Sequence, residues 1–192
     1  MEIEAEVHPF QPFLPENAKL LMLGTFPPAR HRWSIEFYYP NFINDMWRIF
    51  GIIFFADKNH FVLEQKKCFK KEELIAFLKE KGIALFDTAY KIKRTKNTAS
   101  DKDLDVIETV DFGQMLRKLP LCRAICTTGQ LATELFASYA GVSVPKVGEY
   151  SEFCFEGRLL RLYRMPSSSR AYPMQIERKA EFYNIVFKYL SL

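Results

Sequence analysis

Four short strand-like runs separated by helical patterns constrain the fold of this chain more than any other feature. They cover residues 20–23, 83–86, 123–126 and 158–163. The first three are nearly continuous apolar runs, which is typical of strands buried on both faces of a parallel sheet. Strands that alternate with helices form α/β folds. The sequence therefore predicts a three-layer α/β/α sandwich with a central, mostly parallel four-stranded sheet.

The length of 192 residues suits one domain with a full core. We find no repeat or composition break, so a single domain over residues 1–192 is expected. Residues 1–16 carry three prolines and are predicted to be an irregular lead-in. The chain starts without the apolar segment of a signal peptide, and no apolar run approaches the ~20 residues of a membrane span. We therefore expect a cytoplasmic monomer with no membrane partner.

Charge and cysteine content narrow the possible partners and cofactors. The net charge of +4 permits a nucleic-acid partner without requiring one. The four cysteines include no Cys-x-x-Cys pair, so neither a zinc nor an iron–sulfur site is expected. We expect free thiols, no metal and no cofactor.

Two loops rich in glycine, proline or serine follow predicted strands. The first covers residues 24–47 and begins Gly-Thr-Phe-Pro; the second is Met-Pro-Ser-Ser-Ser-Arg over residues 165–170. Loops at the carboxyl ends of neighbouring parallel strands often build one site, which predicts a shared cleft. Taken separately, the first loop could be a tight turn and the second a serine-rich surface turn.

The residue types in these loops suit a nucleic-acid ligand. Gly24 lets the backbone approach a ligand closely. Three consecutive aromatic residues, at 37–39, cannot all face one core, so at least one ring is expected to stack on a base or sugar. The serine hydroxyls and backbone amides of the second loop suit phosphate oxygens. A serine nucleophile is weakly supported, because none of the three histidines follows a predicted strand.

A further group of cations lies in a segment predicted as a long polar loop over residues 91–105. The four cations within six residues are Lys91, Lys93, Arg94 and Lys96. Such a group is either a solvated surface or a contact for nucleic-acid phosphates.

The two loops together resemble the motifs of the uracil-DNA glycosylase superfamily, and most closely its mismatch-specific and hypoxanthine-type branches. The first motif is carried by Gly24-Thr25-Phe26-Pro27, Tyr38-Tyr39 and Asn44-x-Met46-Trp47-Arg48. The second motif is carried by Met165-Pro166-Ser167-Ser168-Ser169. Asp87 and Thr128-Gly129 are also similar to intervening positions of the family. The resemblance covers about residues 18–190.

This resemblance implies a monofunctional DNA glycosylase of base excision repair. Such an enzyme flips a deaminated base, here uracil or hypoxanthine, out of DNA and hydrolyses its N-glycosidic bond without a covalent nucleophile. Its partner would be DNA containing a damaged or mismatched base. The implied base pocket consists of Gly24, Thr25, Phe26 and the stacking aromatic Tyr39. The implied DNA-binding residues are Pro166, Ser167, Ser168, Ser169 and Arg170, with Tyr172 near the wedge that fills the vacated space.

Three positions depart from the family pattern. Phe26 stands where most branches carry a water-positioning Asp or Asn, so Asn44 is the first candidate for that role and Asn41 the second. Met165 replaces a histidine that would bind uracil, and Arg170 replaces a proline. Two alternatives therefore stay open: a catalytically weak or inactive member that binds damaged nucleic acid, and an enzyme that processes nucleosides or nucleotides.

Overall fold

The computed structural model describes residues 4–96 and 100–192. Residues 1–3 and 97–99, which belong to the predicted lead-in and the predicted polar loop, lie outside the described residues. In chain order the helices are α1 (Met46–Phe55), α2 (Lys71–Lys81), α3 (Phe112–Arg117), α4 (Gln130–Ala140) and α5 (Ile176–Leu190). The strands are β1 (Ala5–Val7), β2 (Leu20–Gly24), β3 (Val62–Leu63), β4 (Cys68–Phe69), β5 (Ile83–Asp87), β6 (Ala89–Arg94), β7 (Leu104–Thr109), β8 (Ala124–Thr128), β9 (Tyr150–Phe155) and β10 (Arg158–Met165).

The central sheet has five strands in the order β5-β2-β8-β10-β9. The four predicted strands are all present and pair in parallel. The prediction of a four-stranded sheet is wrong, because β9 adds an antiparallel edge strand beside β10. This edge strand alternates between buried and exposed residues, so it lacks the continuous apolar run that identified the others.

Burial of the strands explains their composition. Every residue of β2, β5 and β8 is buried, so both faces of the sheet centre are covered. Helices α1 and α5 contact each other, with the rings of Phe50 and Phe187 at 5.3 Å between centroids. Burial of these aromatic rings adds a large apolar area to the core.

Helix α2 buries Leu74, Phe77 and Leu78 on one face. Gly82 ends it in the left-handed conformation, with φ of +66°. A Cβ at this position would lie 2.5 Å from the carbonyl oxygen of Asn17. Only glycine fits both the conformation and this close backbone approach.

A small second sheet corrects two predictions. Strands β1, β6 and β7 pair in that order, so part of the predicted irregular lead-in is a strand, and the two ends of the predicted polar loop over residues 91–105 belong to β6 and β7. Register shifts between β6 and β7 interrupt the alternation of the hairpin, which hides its period from a sequence pattern. The buried Ile92 between two lysines is the remaining strand signal.

None of the helices formed by residues 4–96 and 100–192 combines the length and apolar character needed to cross a membrane. The cysteines are free thiols, with Cys122 and Cys126 buried and Cys154 exposed. Within the described part of the chain, no group of three or more histidine, cysteine or acidic side chains is arranged to hold a metal ion.

Candidate functional site

The carboxyl edge of the central sheet brings the two sequence motifs into contact. The parallel register sets Gly24 beside Asp87 and Met165 beside Thr128. The backbone N–H of Asp45, just before α1, donates to the carbonyl of Ser168 at 2.9 Å. The predicted shared edge of the two loops is therefore present.

Gly24 lies against the carboxylate of Asp87. A Cβ on Gly24 would lie 2.5 Å from Asp87 Oδ1, so any larger residue would displace this side chain. The turn that follows β5 is also fixed, because the N–H and hydroxyl of Thr88 both donate to the Gly24 carbonyl. Glycine is thus required here for a close approach to a polar side chain.

A histidine that the sequence pattern did not identify holds the other oxygen of Asp87. His8 is buried, and its Nε2 donates to Asp87 Oδ2 at 2.9 Å. His8 Nδ1 lies 3.2 Å from the Phe10 nitrogen and 3.1 Å from the Phe10 carbonyl oxygen. His8 belongs to the lead-in, and no local signal connects it to Asp87.

Asp101, also absent from the sequence prediction, reaches the first motif from the segment between β6 and β7. Its Oδ2 accepts a hydrogen bond from Thr25 Oγ1 at 2.8 Å. Desolvation raises the pKa of the Asp101 carboxyl, the hydrogen bond from Thr25 opposes this, and the nearby Asp87 charge raises it further. We call Gly24, Thr25, Tyr39, Asp87 and Asp101 the polar pocket.

Tyr39 is the partly exposed member of the aromatic run, whereas Phe37 and Tyr38 are buried in the core. Its φ of +48° is unusual for a residue other than glycine, and strain of this kind concentrates at functional sites. The hydroxyl is buried and makes no hydrogen bond of normal geometry with any residue that the structure describes. Burial and the Asp87 charge raise the Tyr39 pKa, while the neighbouring Thr128 hydroxyl lowers it.

Phe26 contributes an apolar surface to the same edge. It is partly exposed, and its ring meets the His8 ring edge-on with centroids 5.2 Å apart. Phenylalanine carries no proton-transferring group, so any water held beside it must be oriented by neighbours.

Asn44 and Asn41 lie in the loop that leads into α1, and both side chains serve the backbone. Asn44 Oδ1 accepts from the N–H of Met46 at 2.9 Å, and Asn41 Oδ1 accepts from the N–H of Ile43 at 3.1 Å. These are Asx turns, which satisfy free amides ahead of a helix. The side-chain NH₂ groups of Asn44 and Asn41 take no part in these turns.

The serine loop combines buried and accessible residues. Pro166 and Ser168 are buried, Ser167 and Ser169 are partly buried, and Arg170 is exposed. Tyr183 from α5 donates its hydroxyl proton to the Pro166 carbonyl at 2.8 Å, which fixes the start of the loop. The accessible groups are therefore the two outer serines and the arginine.

Lys179 of α5 holds the serine loop to α1 from inside the protein. Its side chain is fully buried, and Nζ donates to Asp45 Oδ2 at 2.9 Å and to the Ser169 carbonyl at 2.7 Å. Arg170 Nε lies 3.4 Å from the other oxygen of Asp45. We call Asp45, Arg170 and Lys179 the ion-pair cluster. No local pattern identifies Lys179, because a lysine on an amphipathic helix normally faces solvent.

The four predicted cations have different surroundings. Arg94 forms a two-pronged ion pair with Glu6, at 3.0 and 3.1 Å, and also donates to the Pro27 carbonyl. Lys96 is exposed and lies 3.7 Å from Asp103. Arg94 thus has a structural role in joining β1 to the first motif, whereas Lys91 and Lys93 remain partly exposed.

A surface cavity elsewhere on the protein contains none of these residues. It lies between α3 and α4 and is lined in part by Asp111, Phe112, Leu135 and Tyr139. No predicted site residue contributes to it. The polar pocket is a better candidate for a functional site than this cavity, because buried polar groups converge there.

Comparison of the sequence with protein families and with curated proteins gives no match. Comparison with solved structures finds the solution NMR structure of a "putative Uracil DNA glycosylase" from Methanosarcina acetivorans. The two chains are 24% identical, the match covers 98% of this chain and 100% of that chain, and the TM-score is 0.64. Identity at this level is informative about architecture alone. The chain therefore shares the α/β fold of that protein over nearly its whole length.

Proposed function

We propose that this protein is a monofunctional DNA glycosylase of base excision repair. It hydrolyses the N-glycosidic bond of a flipped deaminated base, uracil or hypoxanthine, without a covalent nucleophile. The observation that carries the proposal is the 2.9 Å hydrogen bond from Asp45 N–H to the Ser168 carbonyl, which joins the two motifs at one edge of the sheet. The likeness to the Methanosarcina acetivorans fold supports it over nearly the full chain.

The polar pocket receives the flipped base in this proposal. The backbone of Gly24, Thr25 and Phe26 forms one wall, and the partly exposed Tyr39 ring stacks on the base. Backbone N–H groups of the same turn stabilise the negative charge that develops on the departing base. A pocket of this kind requires the target nucleotide to leave the duplex stack.

The serine loop grips the DNA strand. Ser167, Ser169 and the exposed Arg170 provide hydroxyl and guanidinium donors for phosphate oxygens, as phosphate contacts generally fix register on the strand. Pro166 and Ser168 shape the loop, since both are buried. As the resemblance implies, Arg170 lies near the wedge that fills the space vacated by the flipped base.

Asn44, with Asn41 as second candidate, positions the attacking water. Each keeps an amide N–H₂ group free of its Asx turn, and one oxygen lone pair is also left on each side chain. The resemblance to the mismatch-specific and hypoxanthine-type branches favours hypoxanthine beside uracil as substrate. The protein acts as a cytoplasmic monomer, a single domain over residues 1–192, and needs no cofactor.

One incubation tests the proposal directly. Oligonucleotides with uracil, hypoxanthine, xanthine or a G·T mismatch, as single strands and as duplexes, are incubated with the protein and then treated with alkali. Strand breaks at the modified position, absent from the undamaged duplex, are expected. If no substrate becomes alkali-labile, the enzymatic proposal is wrong. Duplex binding that weakens steeply with salt would then identify the nucleic-acid-binding alternative.

A further inference from the structure

A carboxylate from a distant part of the chain lies beside the turn that lost its polar residue. Asp101 and Thr25 are 76 positions apart, and Thr25 immediately precedes Phe26. The hydrogen bond between Thr25 Oγ1 and Asp101 Oδ2, at 2.8 Å, brings the carboxylate to that turn. The site therefore has a carboxylate beside this turn, although the sequence carries Phe26 where most branches of the family carry an Asp or Asn.

Asp101 also approaches the loops that follow two other strands. A Cβ on Gly129, just after β8, would lie 3.8 Å from Asp101 Oδ2 and 3.9 Å from the Cβ of Ser167. One carboxylate thus lies beside the turns after β2 and β8 and close to the serine loop after β10. This is the edge at which parallel α/β sheets bind ligands.

The surroundings of Asp101 are not those of a structural ion pair. Among residues 4–96 and 100–192, no lysine, arginine or histidine forms a salt bridge with it, and Asp87 is a second negative charge nearby. Its Oδ1 accepts no hydrogen bond from a residue in this part of the chain. A desolvated carboxylate without a cation is costly for folding, and groups of this kind concentrate at functional sites.

The turn that carries Asp101 is itself ordered. The Ser100 side chain accepts from the Lys102 N–H and caps the short 3₁₀ turn over Asp101–Asp103. The buried Tyr39 hydroxyl makes no hydrogen bond of normal geometry with the described residues. The Asp101 charge contributes to raising the pKa of Tyr39, after burial and the Asp87 charge. The Tyr39 hydroxyl is therefore a second buried polar group of this site, and it lies within electrostatic range of the Asp101 carboxylate.

We infer that Asp101 is the catalytic carboxylate of this site and replaces in space the acid that the first motif lacks at Phe26. This inference rests on the proposed glycosylase function. The C1′–N bond breaks and its electron pair leaves with the base. The free Oδ1 accepts a proton from the attacking water that Asn44 positions, the water oxygen forms the new bond to C1′, and the proton passes from Asp101 to solvent. The ionised carboxylate also stabilises positive charge on the sugar in the transition state.

The test compares Asp101→Asn with Asp105→Asn in single-turnover excision of the base that the wild type removes. Asparagine keeps an oxygen for Thr25 but cannot take a proton, and Asp105 is an exposed residue of β7 whose substitution makes the same change in net charge. We expect Asp101→Asn to lose on the order of 10²-fold or more in rate, with duplex affinity retained, and Asp105→Asn to keep the wild-type rate.

Two further readouts exclude a merely structural role. Added formate is expected to restore part of the lost rate in Asp101→Ala, since a small carboxylate can enter the vacated space. The wild-type rate is expected to fall as pH drops through the Asp101 pKa, and Asp101→Asn to lose this limb; Thr25, Tyr39 and the His8–Asp87 pair, which face the same space, are unchanged in both proteins. A wild-type rate in Asp101→Asn overturns this inference alone, whereas a wild type that excises no base overturns the proposed function and the inference with it.

Discussion

The polar pocket and the ion-pair cluster both contain buried carboxylates, but only in the ion-pair cluster do a lysine and an arginine hold the carboxylate. In the cluster, Lys179 is fully buried and donates hydrogen bonds to Asp45 Oδ2 at 2.9 Å and to the Ser169 carbonyl at 2.7 Å. In the polar pocket, Asp101 has a hydroxyl as its donor and a second carboxylate, Asp87, nearby. Paired charge fixes geometry, whereas unpaired charge is available to a ligand. The difference assigns a structural role to Asp45 and Lys179 of the ion-pair cluster and a chemical role to Asp101 of the polar pocket.

The largest expected effect comes from breaking the ion-pair cluster. Lys179→Met leaves Asp45 buried without its main partner, which should lower the free energy of unfolding by about 3–5 kcal/mol. Urea denaturation measures this loss. The control is Lys188→Met on the exposed face of the same helix, expected to change stability by less than about 0.5 kcal/mol. A similar small loss in Lys179→Met would mean that the pair does not hold the two loops together.

Asn44 tests whether the loop beside the cluster also takes part in the chemistry. We expect Asn44→Ala to lower base excision by ~10²-fold or more, the scale of a lost catalytic contact. The same change removes the Asx turn onto Met46 N–H, so Asn44→Ser serves as the control, because serine keeps an oxygen for the turn but is too short to hold the water. Unchanged excision in both variants would leave Asn44 with a capping role alone.

Tyr39 tests whether the polar pocket receives a base. Tyr39→Ala should weaken binding of single-stranded or flipped substrate by about 1–3 kcal/mol, the usual contribution of one stacking platform. Tyr39→Phe keeps the ring, and removes a buried hydroxyl that makes no hydrogen bond of normal geometry, so it should bind like the wild type. Fluorescence anisotropy titration gives both values. Equal affinity for the alanine variant would mean that Tyr39 belongs to the core.

The smallest effect, and the one of opposite sign, is expected from Asp101→Asn on stability. The folded-state pKa of Asp101 is raised by desolvation, so its ionised form opposes folding above that pKa, and the penalty disappears as pH falls towards the ordinary aspartate range. Asp101→Asn should therefore unfold at a higher temperature than the wild type at neutral pH, with the gap closing at acid pH. Thermal unfolding across pH measures it. A variant less stable than the wild type at neutral pH would place Asp101 with the paired charges of the cluster.

Much of the central sheet could be predicted from local patterns. The four parallel strands and helix α2 follow from apolar periodicity and from glycines such as Gly82. The second sheet could not be predicted in this way, because β6 and β7 carry bulges and charged residues that hide their period. The edge strand β9 was not predicted for a similar reason, because its exposed residues resemble those of a loop.

The candidate site divides along the same line. The motif residues around Gly24 and Ser168 are visible in the sequence, because glycine, proline and serine mark loops wherever they stand. His8, Asp101 and Lys179 are not visible, since a single histidine, aspartate or lysine has no local pattern to distinguish a buried partner from a solvated side chain. Each is identified only by what it meets in space.

The sequence by itself determined which strands run in parallel and therefore which loops share an edge, because burial of a strand on both faces is written into its own apolar residues. The tertiary structure alone decided which charges enter that edge. The pairing of β1, β6 and β7 belongs to the same part of the fold that carries His8 to Asp87 and Asp101 to Thr25. Contacts between residues 76 or 79 positions apart depend on this long-range pairing, which no local pattern specifies.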